Sequence, residues 1–171
     1  MSQATASCTY VLDPDHPQSW GGEPDDACYV DEEILNDAGV WTCPHAAEAQ
    51  EDKCIFHLPV EEKDDADVVA AFLDAVETAA DKTESDAQRR GVEFLGAEFG
   101  TFDIGTTSTT VPHAHFTGAD FRGDADFESI TFAGPAAFSM VEFGGKAASR
   151  DVTFNDEASF TPSQFHAAAT F

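Results

Sequence analysis

The sequence predicts a mainly β solenoid, preceded by one capping helix and by an irregular segment rich in Cys and His. Three observations predict it. From Phe94 to Phe171 bulky residues recur at alternating spacings of five and six, a full period of eleven. Twelve of the fifteen beat positions are Phe, although the whole chain has only fifteen. Alanine keeps the same period two residues earlier, at Ala114, Ala125, Ala136, Ala147, Ala158 and Ala169. A strand repeats every two residues and a helix every 3.6, so a beat of five or six describes a short extended piece followed by a corner. Self-similarity at a fixed period decides the architecture before any local argument.

Residues 1–58 carry no repeat and hold all four cysteines, Cys8, Cys28, Cys43 and Cys54, together with both tryptophans and both tyrosines. The runs Cys43-Pro44-His45 and Cys54-Ile55-Phe56-His57 are the richest in candidate ligands. Thiolate and imidazole together suit tetrahedral Zn²⁺. The expected set is Cys8, Cys43, Cys54 and His57 around one structural Zn²⁺, with Cys28 or His45 as substitutes. Two disulfides or buried free thiols are the other readings of the same cysteines. Met1 to Ala6 is polar and no apolar stretch follows, so no signal peptide is visible. A reducing, cytoplasmic compartment is the expectation, and it weakens the disulfide reading. A segment so short and polar needs a metal or a docking surface to fold.

Residues 59–91 read as a helix and connector. Val68, Val69, Phe72, Leu73 and Val76 line one face, acids at Asp64, Asp65 and Asp67 suit its start, and Arg89, Arg90 and Gly91 form a stop signal. Its expected role is to cover the N-terminal end of the solenoid, where unpaired strand groups invite association.

Residues 92–171 hold the repeats. Each unit places a small residue, a polar one, Phe, another polar residue and often Gly, as in Ala119-Asp120-Phe121-Arg122-Gly123, Ala125-Asp126-Phe127-Glu128-Ser129 and Ala114-His115-Phe116-Thr117-Gly118. These units resemble the pentapeptide-repeat family. The resemblance implies a right-handed quadrilateral β-helix with four units per coil and the Phe and small residues pointing inward. Fifteen units would make a little under four coils, a stack roughly 15–20 Å tall at strand spacing. The beat assigns Gly105, Thr110 and Ser149 to inward positions that lack Phe, and places His113, His115 and His166 outward. No second cap is visible beyond Phe171, so either a longer polypeptide continues or a homodimer forms end to end.

Charge separates the function classes. The chain carries 33 acidic and 8 basic residues, a net charge of −25. Residues 1–90 hold 22 acids and 5 bases, and residues 91–171 hold 11 and 3. Some pentapeptide-repeat proteins that shield DNA gyrase are acidic rods resembling duplex DNA. Such a mimic should concentrate its acids on the rod, and this chain concentrates them off it. Adaptation to high salt accounts better for the composition, because molar salt shortens the Debye length to about 3 Å and screens self-repulsion. The first half also looks like segments that precede pentapeptide repeats in haloarchaeal proteins. No phosphate loop, dinucleotide fingerprint or Gly-x-Ser-x-Gly elbow is present. The function expected is a non-catalytic scaffold or protein-binding module, with an unidentified protein partner, no nucleic acid and no membrane segment. The alternatives are a DNA-mimicking modulator of gyrase and a soluble regulatory segment of a larger membrane-associated protein.

Overall fold

Inward Phe and Ala on a beat of five or six leave only two or three residues per side extended, and the chain turns a corner after each. In the computed structural model, which describes residues 6–81 and 92–171, this builds a four-sided parallel β-solenoid. Elements are numbered in chain order. One face stacks β3 (Val92–Glu93), β7 (Ala114–His115), β11 (Ala136–Ala137) and β15 (Ala158–Ser159). The next stacks β4 (Glu98–Phe99), β8 (Asp120–Phe121), β12 (Glu142–Phe143) and β16 (Gln164–Phe165). The third holds β5 (Phe102–Asp103), β9 (Ala125–Asp126), β13 (Ala147–Ala148) and β17 (Ala169–Thr170), and the fourth β6 (Thr109–Val111), β10 (Ile130–Phe132) and β14 (Thr153–Phe154).

The register puts like over like. Phe99, Phe121, Phe143 and Phe165 pair in succession on one face, as do Ala114, Ala136 and Ala158 on another. The rings stack: centroids along Phe94, Phe116, Phe138 and Phe160 lie 5.3, 4.9 and 5.0 Å apart. Those along Phe99, Phe121, Phe143 and Phe165 lie 4.6, 5.1 and 4.8 Å apart. Within a coil, rings from neighbouring faces meet edge to face, as Phe121 and Phe127 do at 70°. Both arrangements suit the aromatic quadrupole, and the small Ala positions leave room for the rings.

The beat slips once. Gly105 and Thr110 are exposed, and Ile104 and Val111 are buried in their place. Val111 pairs with Phe132, and Phe102 pairs with Ala125. The corner between Ile104 and Val111 is therefore two residues longer than the corresponding step from Phe127 to Phe132. Gly105, at φ 71°, starts the turn. The chain hides apolar side chains and pushes the Thr-rich corner into solvent. Phe102 takes a position held by Ala in later coils because the helix lies beside it. Ser149 does keep its inward beat, half-buried beside Phe127 and Phe143.

Helix α1 (Asp65–Ala80) starts at Asp64, whose carboxylate accepts the Ala66 N–H at 2.9 Å. It buries Val68, Phe72, Val76 and Ala79. Phe72 meets Phe94 and Phe102 with centroids 5.1 Å away and Phe116 at 6.1 Å, so the helix caps the ladder at its N-terminal end. Asp65 accepts the Thr101 N–H at 2.9 Å, and a Cβ at Gly100 would meet its carboxylate at 2.0 Å, so only glycine permits this approach. The stop signal at Arg89, Arg90 and Gly91 lies outside the described residues.

Residues before the helix wrap the outside of the first coil. β1 (Val11–Leu12) and β2 (Trp41–Thr42) form an antiparallel pair. The Trp41 indole donates to the Glu93 carboxylate, His45 Nε2 donates to the Glu93 carbonyl at 2.7 Å, and Glu98 N donates to the Phe56 carbonyl at 2.8 Å. His115, in register with Glu93 on the outer side of that face, is accordingly covered, at 1% exposure, and not solvent-facing; His113 is half-buried and His166 exposed. The half-buried Lys63 ammonium joins the two parts, donating to the carbonyls of Ile55 (2.9 Å), Phe56 (3.3 Å) and Glu98. Burial pushes its pKa down to about 8. Lys63→Met should cost about 2 kcal/mol in denaturant unfolding, since three carbonyls lose a charged donor. A cost below about 0.5 kcal/mol would show that the join rests elsewhere.

Candidate metal centre

The small β-ribbon and the turn after it bring four soft donors together. Cys8 lies just before β1 and Cys43 just after β2, and the Cys43 N–H donates to the Tyr10 carbonyl at 3.1 Å. Cys54 opens a turn in which the N–H groups of His57 and Leu58 donate to its carbonyl at 2.9 and 3.1 Å. That turn puts Cys54 and His57, three residues apart, on one side. One donor atom from each of Cys8, Cys43, Cys54 and His57 lies within 4.8 Å of all the others, and all four residues are buried.

Three of the six donor separations lie close to those of a tetrahedral site. Cys43 Sγ and Cys54 Sγ are 3.7 Å apart, and His57 Nδ1 is 3.2 Å from Cys54 Sγ and 3.5 Å from Cys8 Sγ. Metal–sulfur bonds of about 2.3 Å and metal–nitrogen bonds of about 2.0–2.1 Å at tetrahedral angles require roughly 3.8 Å between sulfurs and roughly 3.6 Å between sulfur and nitrogen. A buried Cys₃His set of this size could hold a metal ion.

The surroundings orient the donors. His57 Nε2 donates to the Leu95 carbonyl at 2.8 Å, which leaves Nδ1 facing the sulfurs. The Tyr10 ring stacks on the His57 ring at 3.9 Å and 6°. Burial raises the Tyr10 phenol to about 12. The hydrogen bond from Cys43 holds Cys54 as a thiolate, with its pKa down to about 3. The same bond pushes the Cys43 thiol up, and burial raises Cys8.

Neither substitute joins the cluster. His45 spends Nε2 on Glu93 and stacks on Phe94 at 5.5 Å, and Cys28 is half-buried outside the four-residue set. Cys8, Cys43, Cys54 and His57 were legible from residue type and spacing. The Leu95 carbonyl and the Tyr10 stack were not: a backbone acceptor has no sequence signature, and the ring contact crosses 47 positions.

Residues 116–164 match the family described as Pentapeptide repeats (9 copies). That match covers 49 of the 171 residues, within the β-solenoid, and the Phe beat and the four-sided stack continue on either side of it. No curated protein and no solved structure matches the chain. No described helix is long and apolar enough to cross a membrane.

Proposed function

We propose that the chain is a non-catalytic protein-binding module of the cytoplasm, adapted to high salt, in which a structural Zn²⁺ clamps the first half onto the first coil of the β-helix. The observation that carries the clamp is His57, which faces three cysteine sulfurs with one nitrogen and bonds the solenoid backbone with the other. Four protein donors fill a tetrahedral shell and leave no position for substrate, which is the pattern of structural rather than catalytic zinc. The domain division into residues 1–58, 59–91 and 92–171 belongs to the same reading: clamp, cap and binding rod. A rod of stacked coils offers rigid outer faces that need little ordering when a partner docks.

The deciding experiment is metal content with a count of reactive thiols, on protein purified without chelator in molar KCl. About one zinc per chain, with Cys8, Cys43 and Cys54 reactive only after chelation, is expected. No metal and four reactive thiols would remove the clamp. Adaptation to salt predicts that the melting temperature rises from low to molar KCl, as repulsion among 33 acids is screened. A melting temperature that is flat or falling with KCl would remove that part of the proposal.

A second reading rests on the far end of the stack, where Phe154, Phe165 and Phe171 are 36%, 37% and 74% exposed. An end-to-end pair of chains would cover them, and scattering mass across a concentration series tests it.

A further inference from the structure

The loop of residues 17–29 stands off the face formed by β4, β8, β12 and β16 and encloses a groove of about 610 Å³. The floor is the outward ladder of that face, Glu98, Asp120, Glu142 and Gln164, in direct register. At strand spacing, about 4.8 Å, three stacked carboxylates repel one another. The wall adds Asp25 and Asp26 and three aromatic residues, Tyr10, Trp20 and Tyr29, and among the described residues no basic one lines the groove. A groove of this volume lies within the range of ligand sites.

Three observations identify what fits. The first is Arg122, which shows how the ladder holds a cation: its guanidinium spans two rungs, at 3.1 Å from Glu98 and 3.1 Å from Asp120, and reaches Glu61 at 3.5 Å. Glu142, the next rung, is exposed and has no ion pair among the described residues. The second is the aromatic wall. Tyr29 is 51% exposed at the groove, and ring faces beside carboxylates attract a planar cation. The third is size: a groove of about 610 Å³ is larger than one guanidinium fills, so the occupant brings backbone with it.

We propose that the groove binds an extended, arginine-bearing segment of a partner protein, with one guanidinium set between the Asp120–Glu142 rungs and the Tyr29 and Trp20 rings. Arginine is preferred over lysine because its planar fork can meet two rungs at once and stack on a ring. This inference rests on the protein-binding reading and gives that reading a face and a partner chemistry.

The test is titration of the full chain with the peptide acetyl-Gly-Arg-Gly-Arg-Gly-amide, read by tryptophan fluorescence and calorimetry in low and in molar KCl. Saturable one-to-one binding is expected, weaker for the lysine peptide and absent for the citrulline peptide. Glu142→Gln and Tyr29→Ala should each weaken binding about tenfold, the loss expected for one charged hydrogen bond or ring contact. Asp156→Asn removes the same charge from an exposed site outside the groove and should leave binding unchanged. All three positions are exposed, and far-ultraviolet dichroism checks that each variant keeps its fold. No binding, or equal weakening by Asp156→Asn and Glu142→Gln, would overturn the proposal. Cross-linking of the same protein in its source lysate separates the two readings. Partner cross-links on other outer faces, with no peptide binding, would sink the groove and spare the protein-binding module. No partner cross-links on any face would sink both.

Discussion

Phe116→Ala is expected to cost about 3–5 kcal/mol of stability, the range for removing a fully buried aromatic ring. Phe116 has no exposed surface, stacks on Phe94 and Phe138 at 5.3 and 4.9 Å, and meets Phe72 of the cap at 6.1 Å. Its loss would leave a void on the ladder between the first coil and the third, next to the helix. Relaxation cannot close that void cheaply, since the backbone of each coil is hydrogen-bonded to the coils above and below. Phe171→Ala makes the contrast, because that ring is 74% exposed at the far end and should change stability by less than about 1 kcal/mol. Denaturant unfolding of both variants is the measurement. Equal costs would mean that the Phe beat does not rank positions by burial and that stability resides outside the ladders.

Removal of the proposed metal is expected to have the second large effect, and its proton balance tests the site more sharply than its size. Cys54 is held as a thiolate by the hydrogen bond from Cys43, while Cys43 and Cys8 are held as thiols by that same bond and by burial. Metal ligation requires three thiolates, so binding should release about two protons near neutral pH. Affinity should then rise about a hundredfold per pH unit there and fall as the solution is acidified. Calorimetry in two buffers of different ionisation enthalpy reads the proton count directly. Release of none would mean that the ion does not meet the sulfurs of Cys8 and Cys43. Chelation should lower stability by about 4 kcal/mol at metal concentrations a thousandfold above the dissociation constant. Cys54→Ser should reproduce that loss without chelator.

Much of this architecture was legible because the solenoid writes its period into the chain. Each Phe on the beat faces inward for the same reason, so an error at one position does not spread to the next. The beat failed where tertiary structure overrode it. Phe102, Ile104 and Val111 lie off the expected positions because a corner of extra length costs little in solvent, and a hydrophobic pattern does not count corner residues. His115 is covered, not solvent-facing, because outward on a β-helix means exposed only where nothing else covers the face. The four candidate donors could be read from chemistry, since the first half of the chain offers few thiols and imidazoles. The groove could not. Its floor is a ladder of acids 22 residues apart, and its wall is an irregular loop whose path no local propensity dictates.

The register carries a consequence for how such a chain can change length. Apart from the slip in the first coil, the ladders repeat after 22 residues, from Glu98 to Asp120 to Glu142 and from Ala114 to Ala136 to Ala158. An insertion of 22 residues beyond Gly144 would add one storey and keep each new residue over its counterpart. An insertion of eleven would still bury every Phe, yet it would rotate all later residues halfway around the stack. Hydrophobic burial tolerates both edits, but only the first preserves the pattern of the outer walls. The chain can therefore grow at the far end in steps of one full coil while its cap, its Cys/His cluster and the rungs Glu98, Asp120 and Glu142 keep their places.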